Sequence, residues 1–257
     1  MALIFEVIKG GGDNLAYILG CSKARVAAVV DPISAHDILE TCDQKKLKIL
    51  FVLNTHGHPD HTAGNDVIVS AHGAKVMAHS AERIIGLGRR LRDRETIPLG
   101  KLEIEALHTP GHTEGSLCFR VQNKLMTGDT LFLGGAGNTR FGGSIKELFR
   151  TFQNKILALP GRLAVCPGHD YAENNLRFAR TLEPDNPFID RKLKAWKETR
   201  RNGLLLHSTL AEERRYNPFL RFANPALLES LKAEFPELNT ENPYQVFKLI
   251  RELRNNW

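Results

Sequence analysis

The sequence predicts an α+β fold followed by an all-α appendage, and three observations lead to this prediction. Short apolar segments alternate with helical stretches up to about residue 172. The strand pattern ceases after residues 163–166, and from Glu173 onward the hydrophobic periodicity is helical. Such a change marks a boundary between structural units. We therefore predict an α+β domain at residues 1–172 and a helical domain at residues 173–257.

The individual elements follow from the same patterns. Strands are predicted at residues 2–7, 16–19, 26–30, 49–53, 76–78, 102–107, 115–121, 124–126 and 163–166. Gln122 and Asn123 predict a hairpin turn between the strands at 115–121 and 124–126. Helices are predicted at residues 34–41, 65–70, 80–91 and 144–158, and then at 173–181, 188–201, 225–233 and 243–255.

Composition restricts the classes of function. The chain has 257 residues, 42% of them hydrophobic, which is enough for a sizeable core. The net charge of +6 is shared evenly between the two parts, so it gives no evidence of a nucleic-acid-binding stripe, and it suits small anionic ligands. No segment approaches the roughly 18 apolar residues of a membrane span, and residues 1–11 lack a secretory signal. We expect neither a membrane nor a nucleic acid as partner.

The cysteines indicate the redox environment. Cys21, Cys42, Cys118 and Cys166 lie far apart and form no Cys-x-x-Cys pair, which argues against a disulfide framework and a thiolate zinc site. A reducing cytoplasm is therefore the expected location. The sequence leaves monomer and homodimer open.

A dense group of polar side chains follows the predicted strand at 49–53. The run Thr55-His56-Gly57-His58-Pro59-Asp60-His61 places three imidazoles and a carboxylate within seven residues. These side chains pack poorly in a core but are good ligands for a divalent metal. We therefore predict a metal site where this strand leaves its sheet.

Three more candidate ligands each come just after a predicted strand. They are His112 in a Thr-Pro-Gly-His turn, Asp129 in Thr-Gly-Asp-Thr and His169 in Pro-Gly-His-Asp. Turns rich in Gly and Pro hold such side chains stiffly, so they can converge. We predict two ligand sets bridged by Asp129, for two ions of zinc, iron or manganese. The sets are His56, His58 and His112, and Asp60, His61 and His169.

The motifs carry a resemblance that covers residue 1 to about 171. Thr-His-x-His-x-Asp-His, Thr-Pro-Gly-His-Thr, Thr-Gly-Asp-Thr-Leu-Phe and Pro-Gly-His-Asp-Tyr resemble the metallo-β-lactamase superfamily, which implies an αββα sandwich with metals at one edge. Within it, the chain is most similar to the glyoxalase II, or hydroxyacylglutathione hydrolase, family. That narrower resemblance rests on the Gly-rich loop after Phe132, on His169-Asp170-Tyr171 with its following helix, and on Asn217-Pro218-Phe219 in the tail.

The resemblance also implies roles for single residues. It places the metal ligands on the seven residues named above, the tyrosine that contacts glutathione on Tyr171, and two basic substrate-binding residues on Arg251 and Arg254. The family usually has a basic residue where this chain has Asn138, with a tyrosine shortly after. Arg140 or Phe141 takes their place here.

The function implied is hydrolysis of an S-2-hydroxyacylglutathione, such as S-lactoylglutathione, to glutathione and a 2-hydroxy acid, a step of methylglyoxal detoxification. We expect a hydroxide that bridges two divalent ions to attack the thioester, with Asp60 orienting it. Alternatives are an iron-dependent dioxygenase acting on glutathione persulfide, which the Asn-Thr-Arg-Phe segment at 138–141 resembles, and a lactonase with the same ligands. A metal-free binding module is the alternative outside enzymes. The helical tail and its terminal arginines favour the hydrolase.

Overall fold

The computed structural model describes residues 2–257, which form two β-sheets packed face to face between layers of helices. The strands of the first sheet are β1 (Leu3–Gly10), β2 (Asn14–Cys21), β3 (Val26–Val30), β4 (Lys48–Leu53), β5 (Lys75–His79) and β6 (Leu87–Leu91). They lie side by side in sequence order. β1, β2 and β3 pair antiparallel, whereas β3 to β6 run parallel.

The second sheet contains the remaining long strands. They are β7 (Glu95–Leu99), β8 (Leu102–His108), β9 (Leu117–Val121), β10 (Lys124–Gly128) and, after the hairpin of β11 (Leu131–Phe132) and β12 (Gly135–Ala136), β13 (Ala164–Pro167). The order across the sheet is β13-β10-β9-β8-β7, with β13 parallel to β10 and the other pairs antiparallel.

Helices cover the outer faces of both sheets. They are α1 (Ala35–Gln44), α2 (Pro59–Thr62), α3 (Asn65–His72), α4 (Ile145–Asn154), α5 (Ala172–Leu182), α6 (Pro187–Arg201), α7 (Leu210–Tyr216), α8 (Pro225–Glu234) and α9 (Pro243–Asn255). Single 3-10 turns lie at Ile156–Ala158 and Pro218–Leu220. None of the helices within residues 2–257 is long and apolar enough to cross a membrane.

Three apolar layers hold the sandwich together. Successive side chains of a strand point to opposite faces of its sheet, so Tyr17 of β2 packs between the two sheets and Ile18 packs under α1 and α3. A strand buried on both faces reads as a continuous apolar run, as β2 does. The third layer lies on the outer face of the second sheet, where Leu125 shares one core with Phe152 of α4 and Phe247 of α9.

The predicted fold class is confirmed, including the αββα arrangement and the helices after β13. The helical part, which we define as residues 172–257, packs on the second sheet and on α4 through this third core. The division into two domains at residue 172 stays a prediction.

One predicted helix is wrong. Residues 80–91 do not form a helix, because residues 80–86 form turns and Leu87–Leu91 is the edge strand β6. Gly86 adopts a left-handed conformation with φ +73°, which ends any helix at that point. The short elements β7, β11, β12, α2 and α7 had no clear periodicity and were not predicted.

Candidate functional site

The turn after β4 places the His-x-His-x-Asp-His run at the edge of the sandwich. Pro59 stands at the first position of α2, where its fixed φ suits a helix start. His56 and His58 therefore precede the helix, whereas Asp60 and His61 lie within it. Asn54 anchors the turn because its side-chain amide donates to the carbonyl of His61 at 2.9 Å.

The structure brings the first predicted set together. Nδ1 of His58 lies 3.0 Å from Nε2 of His56 and 3.1 Å from Nε2 of His112. His112 comes from the turn after β8, so residues distant in sequence meet at one point. The three ligand atoms lie within 4.8 Å of one another, close enough to surround one ion.

The second predicted set also converges. Nε2 of His169 lies 3.3 Å from Nε2 of His61 and 3.3 Å from Oδ2 of Asp60. Here too the three ligand atoms lie within 4.8 Å of one another. The side chain of Asp60 is 45% exposed, so this side of the site opens to solvent.

Asp129 lies between the two sets. Its Oδ1 is 3.4 Å from Nε2 of His61 and 3.5 Å from Nε2 of His169, and its Oδ2 is 3.6 Å from Nε2 of His112. Oδ1 is buried and accepts no hydrogen bond from any residue in the range 2–257. A buried carboxylate oxygen without a donor is costly, and a cation would satisfy it. The donor set of imidazoles and carboxylates therefore fits metal ions.

Side chains and carbonyls behind the ligands fix the orientation of the imidazole rings. Asp31 accepts from Nδ1 of His61 at 3.0 Å, and Asp13 accepts from Nδ1 of His169 at 2.8 Å. The carbonyl of Asn138 lies 2.7 Å from Nδ1 of His112. Each ring thus turns Nε2 toward the centre of the site, as expected for a ligand whose other nitrogen is held.

The pKa values of the ligands show which charge the site favours. Burial acts to lower the pKa of His61, but the carboxylates of Asp31, Asp129 and Asp60 outweigh it and raise that pKa to about 9. At His56, burial and the neighbouring imidazoles both act to lower the pKa well below its ordinary value. The second set therefore attracts positive charge, and His56 is held as a neutral ligand.

Two glycines allow the chain to pass close to Asp129. A Cβ at Gly137 would lie 1.8 Å from the carbonyl oxygen of Asp129, and one at Gly168 would lie 2.5 Å from its Oδ1. No real Cβ approaches another atom so closely. Glycine at these positions is therefore a packing requirement of the site.

Four of the residues predicted to contact substrate lie on chain segments beside the ligands, and they are Asn138, Arg140, Phe141 and Tyr171. Tyr171 stacks on the ring of His169 with centroids 4.8 Å apart, and Phe141 is 67% exposed beside His58. Asn138 turns its side chain back to accept from the amide of Arg140 at 3.0 Å, and its carbonyl is the one that holds His112. Arg140 is exposed and donates to the carbonyl of Asn255 at 2.9 Å.

The two terminal arginines have different environments. Arg251 is only 3% exposed and donates to the carbonyls of Ala136 and Gly137 at 2.7 and 3.1 Å. Arg254 is half-buried and donates to Oδ1 of Asn175. In this arrangement Arg251 supports the loop, in contrast to the direct substrate contact that we expected from the resemblance.

The helical part holds the whole β11–β12 hairpin in this way. Four polar side chains of the helical part form hydrogen bonds with the backbone of residues 132–137. These side chains belong to Asn175, Glu213, Asn217 and Arg251. The hairpin leads from Asp129 to Asn138. The helical part therefore positions both a ligand and the carbonyl that orients His112.

Replacing each terminal arginine by methionine separates loop support from substrate contact. Arg251→Met keeps an aliphatic stem but removes the bonds to Ala136 and Gly137, so we expect a loss of about 2 kcal/mol of stability and a lower kcat. Arg254→Met should instead raise KM for an anionic thioester with little change in kcat. Urea unfolding and steady-state kinetics measure both effects. Identical changes in the two variants would contradict the distinction.

Sequence reasoning missed the residues that support the ligands. Asp31 directly follows the buried strand β3. The predicted ligands also follow strands directly, so the same rule could have found this supporting residue. Its left-handed φ of +49° is a conformation that aspartate tolerates. Glu213 gave no signal, and Asn175 and Asn217 contributed only to the family resemblance. Their supporting role stayed hidden because a buried polar residue on or beside a helix looks like a solvated one in sequence.

Comparisons with known proteins identify the family of the chain. Residues 27–188 match the family described as the metallo-beta-lactamase superfamily, and residues 170–257 match the hydroxyacylglutathione hydrolase C-terminus. A hydroxyacylglutathione hydrolase of Polaromonas sp. is 40% identical over 251 residues, which cover 95% of each chain. The cytoplasmic hydroxyacylglutathione hydrolase of Arabidopsis thaliana is 34% identical over 255 residues, again 95% of each chain.

Solved structures agree on the fold. The crystal structure of ETHE1 from Myxococcus xanthus superposes with a TM-score of 0.69 and 24% identity, over 98% of each chain. The matched family models and the near full-length relatives cover both the metal-ligand cluster and the helical part. The chain belongs to the hydroxyacylglutathione hydrolase family of the metallo-β-lactamase superfamily.

Proposed function

We propose that the protein hydrolyses thioesters of glutathione with 2-hydroxy acids, such as S-lactoylglutathione, to glutathione and the free acid. The observation that carries this proposal is a cluster of uncompensated positive charge beside the ligand site. Burial, together with the neighbouring cations Arg254 and Arg140, lowers the pKa of Arg251 to about 9. A substrate that brings carboxylates to the more accessible Arg254 and Arg140 relieves the repulsion among the three cations.

We further propose that the seven ligands hold two divalent ions of zinc, iron or manganese. His56, His58 and His112 would bind one ion, Asp60, His61 and His169 the other, with Asp129 between them. Imidazole nitrogen and carboxylate oxygen suit all three metals. When bound, such ions polarise a thioester carbonyl and lower the pKa of water toward neutrality.

The protein's own residues then position the reactants. Asp60 is partly exposed and held by the side-chain amide of Asn14 at 3.2 Å, so its Oδ2 can accept a hydrogen bond from an attacking water. Tyr171 stacks on His169 and limits access of bulk water on that side. The leaving thiolate is a weak base compared with an alkoxide, so it departs without a dedicated proton donor.

Recognition of the thiol carrier follows from charge. Arg140 and Arg254 present guanidinium groups at the rim of the site, and both suit the carboxylates of a glutathione tripeptide. Phe141 offers an apolar surface next to His58. We place the protein in the cytoplasm, as the name of the Arabidopsis relative indicates for that protein.

Metal analysis of the purified protein, coupled to release of free thiol from S-lactoylglutathione, tests the proposal. We expect about two ions per chain, loss of activity on chelation, and recovery with added metal. The matched lactoyl thioester of N-acetylcysteamine, which lacks carboxylates, should show a much higher KM. Fully metallated protein that cleaves neither thioester but consumes oxygen with glutathione persulfide would overturn the proposal in favour of a dioxygenase. Lactone hydrolysis alone would favour a lactonase.

A further inference from the structure

The turn at residues 80–86 reaches across to the ligand loops through a single side chain. Oε2 of Glu82 accepts from the backbone N–H of Gly57 at 2.7 Å. Its Oε1 accepts from the N–H of Gly115 at 3.0 Å and from the hydroxyl of Thr113 at 2.5 Å. One carboxylate thus receives three donors from two separate loops.

The donors lie next to the ligands of one set only. Gly57 stands between His56 and His58, and Thr113 directly follows His112. The hydrogen bonds of Glu82 therefore join the two loops that carry the His56, His58 and His112 set. The other set lies on α2 and after β13, and no hydrogen bond of Glu82 reaches either element.

The close approach depends on glycine at both loops. A Cβ at Gly57 would lie 2.8 Å from Oε2 of Glu82, and one at Gly115 would lie 2.6 Å from Oε1. The loop beyond His112 is stiff, because the hydroxyl of Ser116 accepts from the N–H of Thr113 at 3.0 Å. Glu82 thus bonds to a fixed loop on one side and to the His56–His58 turn on the other.

We propose that Glu82 is a positioning residue that fixes the distance between these two loops, and so sets the affinity of the metal position formed by His56, His58 and His112. The inference rests on the proposed metal function of the site. Ligands must be held within about 0.5 Å of their working geometry, and a partner that orients them changes metal affinity by about 10–100-fold. Glu82 forms no hydrogen bond with a ligand side chain and acts through the N–H groups of Gly57 and Gly115 and the hydroxyl of Thr113.

Zinc binding to the metal-free protein tests this role, with competition against a chromogenic chelator to obtain two dissociation constants. We expect Glu82→Ala to raise one constant about 10–100-fold and to change the other less than about threefold. His112→Ala and His169→Ala, which each remove a ligand of one set, identify which constant belongs to which set. Glu82→Gln keeps the shape but turns an amide N–H toward a backbone donor, so we expect it to raise the same zinc dissociation constant by an intermediate amount. This variant also tests the role if the alanine variant does not fold.

Glu95→Ala is the matched control. Glu95 also accepts a backbone N–H, that of Arg92 at 2.9 Å, but it bonds to no ligand loop. Both zinc constants should stay as in the wild type. If the wild type binds two zinc ions and Glu82→Ala binds both as tightly as the wild type does, the role of Glu82 is refuted while the proposed function stands. Equal weakening of both positions also refutes it, and a wild type that binds no zinc refutes the proposed function together with it.

Discussion

Asp129→Asn should bind fewer metal ions than the wild type and lower kcat/KM for S-lactoylglutathione by about 10³-fold or more. The substitution removes the charge that lies between both ligand sets, and metal-assisted stabilisation of a thioester transition state supplies several kcal/mol, about 1.4 kcal/mol per tenfold in rate. Metal analysis and steady-state kinetics of the purified variant measure the two effects.

Stability provides a second measurement for the same variant. Oδ1 of Asp129 is buried and accepts no hydrogen bond within residues 2–257, so loss of its charge should leave the metal-free variant at least as stable to heat as the metal-free wild type. Only the wild type should gain stability from added metal, since ligand binding to the folded state stabilises it. Asp66→Asn, which removes an exposed carboxylate on α3, is the control. It should change neither the unfolding temperature of the metal-free protein nor the stability gained from added metal. Full metal content and full activity in Asp129→Asn would refute the bridging role.

Glu213→Ala should destabilise the protein by about 3–5 kcal/mol. Glu213 is buried and accepts from the N–H of Gly134, from the side-chain amide of Asn217 and from the hydroxyl of Tyr216. Alanine removes all three hydrogen bonds and leaves the N–H of Gly134 without an acceptor, whereas Asn217 keeps Phe132 and Gly135 and Tyr216 keeps Ser208 as partners. A buried group that loses its partner costs about 1–3 kcal/mol, and each lost hydrogen bond adds about 1 kcal/mol. Urea unfolding at constant metal concentration measures the loss.

A conservative variant of Glu213 and a control variant on α8 show whether the loss of stability comes from this hydrogen-bond network. Glu213→Gln keeps one acceptor oxygen and the shape, so a smaller loss of about 1–2 kcal/mol is expected. Glu229→Ala removes an exposed carboxylate on α8 and should stay within about 0.5 kcal/mol of the wild type. A Glu213→Ala variant with a wild-type unfolding midpoint would show that this network does not hold the hairpin.

The sequence was sufficient for the predicted ligands because their positions obey a local rule. His112, Asp129 and His169 each follow a strand at a Gly or Pro turn, and strand ends at one edge of a sandwich meet in space. The seven predicted side chains come together accordingly. Fold class followed from the same alternation of apolar segments.

The sequence was insufficient where tertiary contacts decide. Residues 80–91 contain helix formers, but Gly86 and the reach of Glu82 toward Gly57 and Thr113 favour a turn and an edge strand. Arg251 is polar on an amphipathic helix, and only the structure places its guanidinium under Ala136 and Gly137. Side chains that support a loop from another element leave no periodic signal.

The support of the β11–β12 hairpin has a consequence for the order of folding. Chains are synthesised from the N-terminus, and structural units generally fold in that order. All seven ligands have been synthesised once His169 is added, but Glu213 and Arg251 come later. A nascent chain that carries every ligand therefore still lacks the groups that fix residues 132–137. We therefore expect residues 132–137, and the carbonyl of Asn138 behind them, to reach their final geometry only after α9 has docked.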